Sequence, residues 1–188
     1  MIQLDTSWLQ HVQKPARYTG GEYNSIVKDH STVDVTMALA FPDVYEVAMS
    51  HLGIKILYGL VNRREDAAAE RVFAPWHDME EEMRKRNIPL FSLETRTPIK
   101  DFDVLAFTLQ YEMSFTNILN MLDLAGIPMY AKDRDMEFPL LVCGGPCAFN
   151  VEPIADFFDI VSLGESEEWG DEFIDLYKAE KAKGFPGG

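Results

Sequence analysis

Short apolar runs alternate with two-faced helical segments along most of this chain, and this alternation restricts the fold more than any other feature. Three runs are almost entirely apolar, VTMALAF (35–41), VLAFTL (104–109) and LLVCG (140–144), which is typical of parallel strands buried on both faces. Weaker strand candidates lie at 70–74, 89–93 and 158–163, and predicted helices at 51–64, 76–87, 113–125 and 167–183. The pattern predicts an α/β fold, a three-layer sandwich with a doubly wound, mostly parallel sheet of the flavodoxin-like or Rossmann-like type.

The length of 188 residues fits one hydrophobic core. Residues 33–183 are predicted to form the α/β domain, and residues 1–32, which lack a sustained period, an irregular N-terminal arm with one short helix. KGFPGG at the end of the chain is typical of a linker, so residues 184–188 are interpreted as the start of a connection to a further domain.

The charge and the hydropathy pattern exclude two classes of partner. A formal net charge of −14 makes direct nucleic-acid binding by this domain unfavourable. There is no run of about 20 apolar residues that could span a bilayer, and the N-terminus lacks the basic start and apolar run of a secretory signal. We therefore expect a cytoplasmic protein without a membrane partner.

The loops at the carboxyl ends of the predicted strands form the candidate site, because doubly wound sheets bind ligands there. Glycines in these loops permit tight turns and close approach of a ligand to the backbone. Ser50, Ser114 and Ser166 also fit the N-cap positions of the helices that follow. The predicted site residues are Tyr45, Ser50, His51 and Gly53 after the first strand, Gln110 and Tyr111 after the strand at 104–109, Gly144, Gly145 and Pro146 after the next, and Gly164 and Glu165 after the last.

No catalytic residue and no metal site are predicted. Glu112 has no second carboxylate or histidine at a spacing that would indicate a general base. Cys143 and Cys147 are the only cysteines, and two thiols are too few for a typical iron–sulfur cluster. We interpret them as reduced thiols beside a turn. The glycine loops match neither the dinucleotide-binding nor the P-loop pattern.

Six segments together resemble the N-terminal region of a family of radical S-adenosylmethionine (radical SAM) proteins that have a cobalamin-binding-like front domain. GGP at 144–146 and DIVSLGESEE at 159–168 are similar to the order of two glycines, an aspartate and a Gly-Glu pair in cobalamin-type front domains. The segments that carry the resemblance are 14–29, 40–64, 70–84, 90–95, 102–128 and 142–168.

The resemblance implies a downstream radical SAM domain that holds a [4Fe-4S] cluster through CxxxCxxC and cleaves S-adenosylmethionine. This chain does not contain that motif. Cys143 and Cys147 have CxxxC spacing, but the third position is Asn150. The chain is therefore expected to be the front part of a radical SAM enzyme, with the cluster and S-adenosylmethionine in a separate domain, and not to be catalytic alone.

Cobalamin is the candidate cofactor that the resemblance suggests. The histidine-on mode uses DxHxxG, but around His51 the aspartate position is Met49 and the glycine, Gly53, comes one residue early. If cobalamin binds, a histidine-off mode is expected. The alternatives are a domain that shapes the active-site entrance, a protein-interaction module without a small ligand and, more weakly, a flavin or nucleotide binder, although no loop is rich in serine and threonine as in flavodoxins.

Overall fold

The computed structural model describes residues 6–184, and its centre is a five-stranded sheet in which all strands are parallel. The strand order is β2-β1-β3-β4-β5. The strands are β1 (Val35–Phe41), β2 (Ala67–Phe73), β3 (Val104–Thr108), β4 (Leu140–Gly144) and β5 (Ile160–Val161). Because the order reverses between β1 and β3, the sheet is doubly wound, as predicted.

Helices cover both faces of the sheet. The helices are α1 (Tyr45–Ser50), α2 (Leu52–Arg63), α3 (His77–Arg86), α4 (Phe115–Ala125) and α5 (Ser166–Lys183). Asn87 and Gly126 adopt the left-handed conformation directly after α3 and α4, so these helices end within one residue of the predicted ends at 87 and 125. Among the helices between residues 6 and 184, none has the length and apolar character required to cross a membrane.

Two separate apolar cores confirm the three-layer arrangement. β1 is buried along its whole length, so its alternate residues supply both cores. Ala38 and Ala40 belong to the core with α3 and α4, whereas Met37 and Leu39 belong to the core with α2 and α5. A strand that is apolar throughout is required at the centre of such a sheet because neither face meets water.

The prediction of a strand at 89–93 is wrong. This segment makes one antiparallel bridge, Phe91 to Pro98, and its backbone groups bind several different elements. The Leu90 N–H donates to the Leu124 carbonyl, and the Leu93 N–H donates to the Arg71 carbonyl at 2.7 Å. The segment therefore covers the exposed edge of β2, where an unpaired strand edge would otherwise be left.

Other boundaries differ from the prediction by a few residues. β2 begins at Ala67, three residues before the predicted start, because three small buried alanines pair with β1. β5 is only two residues long. Helix α1 occupies part of the loop expected after β1.

The N-terminal arm packs onto the domain through both apolar and polar contacts. It contains three short 3-10 turns where one short helix was predicted, and Trp8 and Leu9 are buried in the core beside α3 and α4. The Lys28 ammonium donates to the Ala67 carbonyl at 2.7 Å, and His30 Nε2 lies 2.7 Å from the buried carboxylate of Glu70. These contacts fix the arm against β2. Residues 185–188 of the predicted linker lie outside the described residues.

Candidate functional site

A cavity of about 410 Å³ lies between the sheet and helices α2 and α5 and extends to the loops at the carboxyl edge. Its inner wall is apolar: Leu39 and Val142 from the sheet, Leu57 from α2, and Trp169 and Phe173 from α5. Its volume falls in the range of about 300–1,000 Å³ typical of small-molecule sites. The sheet and the two helices therefore leave a gap of ligand size in the second core.

The structure brings eight of the eleven predicted site residues to this cavity. Three others point elsewhere. The Tyr45 ring contacts Phe73 with its centroid 5.8 Å away, the Ser50 hydroxyl donates to the Val47 carbonyl, and the Tyr111 hydroxyl donates to the Asp43 carboxylate. The residues that line the cavity are His51, Gly53, Gln110, Gly144, Gly145, Pro146, Gly164 and Glu165.

His51 is the N-cap of α2, in the role predicted for Ser50. Its Nδ1 accepts a hydrogen bond from the Ile54 N–H at 3.4 Å. Ser50 is instead the last residue of α1, because the chain forms two short helices where one was predicted. A Cβ at Gly53 would lie 2.8 Å from His51 Cε1, so the absence of a side chain at Gly53 makes room for the imidazole.

The other two serines predicted as caps do not cap with their side chains. Ser114 occupies the N-cap position of α4, but its hydroxyl donates to the Tyr111 carbonyl. Ser166 is the first residue of α5, and Glu165 is the N-cap. A hydroxyl-containing residue is common at an N-cap, but the sequence does not show which adjacent residue takes that position.

Gly145 joins the loops that follow β3 and β4. Its φ of 107° is unfavourable for residues with a Cβ. The Leu109 N–H donates to the Gly144 carbonyl at 2.7 Å, and the Cys147 N–H donates to the Leu109 carbonyl at 3.0 Å. A Cβ at Gly145 would lie 2.9 Å from the Leu109 carbonyl oxygen. The glycine therefore permits the close approach of two backbones at the cavity rim.

Gly145→Ala is expected to lower the free energy of unfolding by about 1–3 kcal/mol more than Gly164→Ala does, because its new methyl group overlaps the Leu109 carbonyl oxygen, a cost added to the backbone strain that both variants share. Gly164→Ala is the matched control, because Gly164 has a similar φ of 105° but its Cβ would meet no atom within 4 Å. Urea unfolding of both variants measures the difference. If Gly145→Ala were no more destabilising than Gly164→Ala, the contact with Leu109 would be unimportant.

The mouth of the cavity is acidic. Glu165 and Glu167 are exposed there, and within residues 6–184 neither makes an ion pair. Of the described residues, no lysine or arginine lines the cavity. Phe149, Trp169 and Phe173 also line it, and the sequence analysis did not assign them to the site. The sequence contained one indication that Trp169 and Phe173 lie near the site: they belong to the helix that starts directly after the predicted Gly164–Glu165 turn.

The two cysteines differ in burial. Cys143 is 1% exposed, and burial raises the pKa of its thiol to about 12. Cys147 is half-buried; burial, and then the nearby Glu112, raise the pKa of its thiol as well. Within the described part of the chain, no three His, Cys, Asp or Glu side chains are grouped as metal ligands.

In the native protein, we expect Ellman's reagent to modify one thiol per chain, and only slowly. Reaction requires an accessible thiolate, so Cys147 is expected to react and Cys143 to react only after unfolding. Cys147→Ser should abolish the native reaction and leave one reactive thiol in guanidinium. Rapid modification of two thiols in the folded protein would contradict the described burial of Cys143.

Comparison with known proteins identifies the class. The model of the family "Radical SAM proteins, N-terminal" matches residues 53–186, more than two thirds of the chain. The chain belongs to this family of radical SAM N-terminal domains, which confirms the resemblance to the N-terminal region of radical SAM proteins. It is also 28% identical over 134 residues to the uncharacterized protein MJ0966 of Methanocaldococcus jannaschii. That match covers 70% of this chain and 24% of the relative, so the chain spans about a quarter of the relative's length.

Proposed function

We propose that this domain binds a cofactor in the cavity between α2 and α5 and presents it to a linked radical SAM domain. The observation that carries the proposal is the position of the cavity. It is of ligand size, it opens at the carboxyl edge of a doubly wound sheet, and it has glycine-containing loops at its rim. The [4Fe-4S] cluster and S-adenosylmethionine are assigned to the linked domain, so this domain is accessory and not itself catalytic.

Cobalamin in a histidine-off mode is the candidate cofactor. Leu57, Trp169 and Phe173 supply apolar surface that would hold a flat base such as the benzimidazole of cobalamin. Gly164, where a Cβ would meet no atom within 4 Å, leaves open space at the rim. Bound cobalamin would supply a cobalt centre that carries and transfers an alkyl group.

The environment of His51 supports the histidine-off mode. A cobalt-ligating imidazole is normally oriented by a hydrogen bond from its second nitrogen to a carboxylate. Here Met49 stands at the position of that carboxylate, and its sulfur lies 3.2 Å from Arg71 Nη1. His51 Nδ1 is an acceptor in a helix cap instead. A thioether therefore stands where a carboxylate would normally orient an axial histidine.

Calorimetric and spectroscopic titration of the purified chain with hydroxocobalamin tests the proposal. We expect saturable binding of one equivalent without the spectral change that imidazole coordination of cobalt produces. A parallel titration with S-adenosylmethionine should give no binding. Absence of any response to hydroxocobalamin would remove cobalamin as the cofactor, and an imidazole-type spectrum would exclude the histidine-off mode.

Exposed apolar side chains favour a second candidate function, docking of the linked radical SAM domain on the carboxyl edge. Leu52, Met113, Phe149 and Leu163 follow four different strands at this edge and are 68%, 86%, 78% and 63% exposed. Apolar side chains gathered on one surface are typical of interaction sites.

Binding of a separately expressed radical SAM domain tests the docking function. Phe149→Glu should weaken that binding, whereas Leu176→Glu, at an exposed apolar residue in the middle of α5, should not. Equal effects of the two substitutions would contradict docking at this edge.

A further inference from the structure

We infer that the start of α5, residues 165–169, is a lid over the cavity, which unwinds to admit a ligand and reforms to enclose it. This inference rests on the proposed function for the identity of the ligand, whereas the movement of the lid is a property of the chain itself. It adds to the proposed function the route by which the cofactor enters and leaves.

The lid borders the mouth of the cavity. Its residues that line the cavity are Glu165, Ser166, Glu167 and Trp169. Trp169 also belongs to the inner wall, where its ring stacks on that of Phe173 with the centroids 4.7 Å apart. Unwinding of the lid therefore removes part of one wall and widens the opening.

Few interactions hold the lid in its helical conformation. Glu165 occupies the N-cap position of α5, but its side chain makes no capping hydrogen bond, although such a bond typically stabilises a helix end. Neither Ser166 nor Glu167 makes a side-chain hydrogen bond or an ion pair with the described part of the chain. Carboxylates favour a helix N-terminus only weakly at an exposed position. The lid is therefore held mainly by its own backbone hydrogen bonds and by the packing of Trp169.

A glycine lies at each end of the lid. Gly164 precedes it with a φ of 105°, and Gly170 follows it inside the helix. Glycine is less favourable than alanine within a helix, because it loses more conformational entropy. A Cβ at either position would meet no heavy atom within 4 Å, so close packing requires neither glycine. Both ends can therefore change conformation with little steric resistance, as hinge positions do.

The rest of α5 is fixed to the domain by ion pairs. Arg64, which directly follows α2, makes ion pairs with Asp171 and Asp175. Further along the helix, the Lys178 ammonium lies 2.6 Å from the Asp34 carboxylate. The first of these contacts occurs at 171, two residues after the lid ends.

Burial holds the same part of the helix. Phe173 is 8% exposed and Ile174 only 1% exposed, and both belong to the core beside β1. Lys181 Nζ donates to the Asp103 carboxylate at 2.6 Å. Because opening free energies differ between the weakly and the strongly held parts of a protein, the lid can unwind while the remainder of α5 stays in place.

The first test is hydrogen–deuterium exchange of the native chain without ligand. Each amide in an α-helix donates to the carbonyl four residues earlier, so the amides at 171–173 depend on carbonyls of the lid. We expect them to exchange about tenfold or more faster than the amides at 175–178, although both groups lie inside α5. Equal protection of the two groups would overturn the inference, because the lid would then open no more readily than the fixed part.

Glu165→Asp should slow the opening. Aspartate is a good N-cap and keeps the negative charge, so it should stabilise the closed lid and slow exchange at 171–173 about fivefold. In stopped-flow kinetics with hydroxocobalamin, the association and dissociation rate constants should fall by this same factor and Kd should stay unchanged, because the lid must open for both steps. Unchanged rate constants, or a change in Kd without slower association, would contradict the lid.

Gly59→Ala is the matched control for helix stability. Gly59 lies in α2, is exposed and does not line the cavity, and alanine strengthens a helix there by a similar amount. Exchange at 171–173 and both rate constants should equal those of the unmodified chain. Slowing as large as that of Glu165→Asp would show a general effect of stability and overturn a lid confined to α5.

The lid and the cofactor function can fail separately. Rapid exchange at 171–173 that Glu165→Asp slows, together with no response to hydroxocobalamin, would support the lid and remove cobalamin as the ligand. Binding of hydroxocobalamin to a chain whose α5 is protected equally throughout would leave the cofactor function in place and overturn the lid.

Discussion

Glu94→Ala is expected to lower the free energy of unfolding by about 3–5 kcal/mol, because it leaves a buried guanidinium without its main partner. The Glu94 side chain is completely buried, and its Oε1 accepts from Arg71 Nε at 2.6 Å. Its second oxygen accepts from the Arg71 backbone N–H at 2.7 Å. One substitution therefore removes a charge partner and the acceptor for an edge amide of β2. Urea unfolding measures the loss.

A surface ion pair supplies the control for this prediction. Asp123 and Arg84 are 2.7 Å apart but about half exposed, so Asp123→Ala should change stability by only about 0.5 kcal/mol or less. Replacing both members of the buried pair, with Arg71→Met and Glu94→Leu together, should recover much of the loss. A Glu94→Ala variant as stable as the Asp123→Ala variant would contradict the burial of this pair.

Gly170→Leu is expected to weaken hydroxocobalamin binding about tenfold or more, equivalent to about 1.4 kcal/mol, while leaving the domain folded. Gly170 lies within α5 and lines the cavity, and a Cβ at this position would meet no heavy atom within 4 Å. A leucine side chain can therefore enter space that the ligand is proposed to use. Leucine also has a higher helix propensity than glycine, which should stabilise α5 slightly.

Gly59→Leu is the matched control for Gly170→Leu. Gly59 lies within α2, is exposed, does not line the cavity and also has open space at its Cβ. The two variants should gain similar stability from helix propensity, but only Gly170→Leu should lose binding. Equal affinities of the two variants for hydroxocobalamin would place the ligand outside this cavity.

The sequence predicted the sheet well where burial alone determines the structure. β1, β3 and β4 are continuous apolar runs, and each forms a strand at or within one residue of the predicted bounds. Segment 89–93 has the same apolar character but is not a strand, because its contacts with Arg71, Leu124 and residues 97–99 are determined by tertiary packing. Apolar composition indicates burial but does not specify the hydrogen-bond partner.

The candidate site was also predicted only in part, because the sequence locates the loops but not the direction of their side chains. The rule that ligands bind at the carboxyl edge correctly directed attention to the loops, and the glycines at 144, 145 and 164 line the cavity. Tyr45 and Tyr111 occur in the same loops but contact Phe73 and Asp43. Tyr45 is the first residue of α1, a helix that the sequence pattern did not reveal, and the Tyr111 hydroxyl reaches Asp43 in a different loop. That Trp169 and Phe173 line a cavity between α5 and the sheet follows only from three-dimensional packing.

The central claim, that the cavity between α2 and α5 is the ligand site, is tested most directly by ¹H–¹⁵N chemical-shift mapping during addition of hydroxocobalamin. We predict that the largest changes occur at the amides of Gly53, Gly145, Gly164 and Gly170, with little change at Met83 on the opposite face of the sheet. Changes centred on α3 and α4, with the four glycine amides unaffected, would contradict the claim.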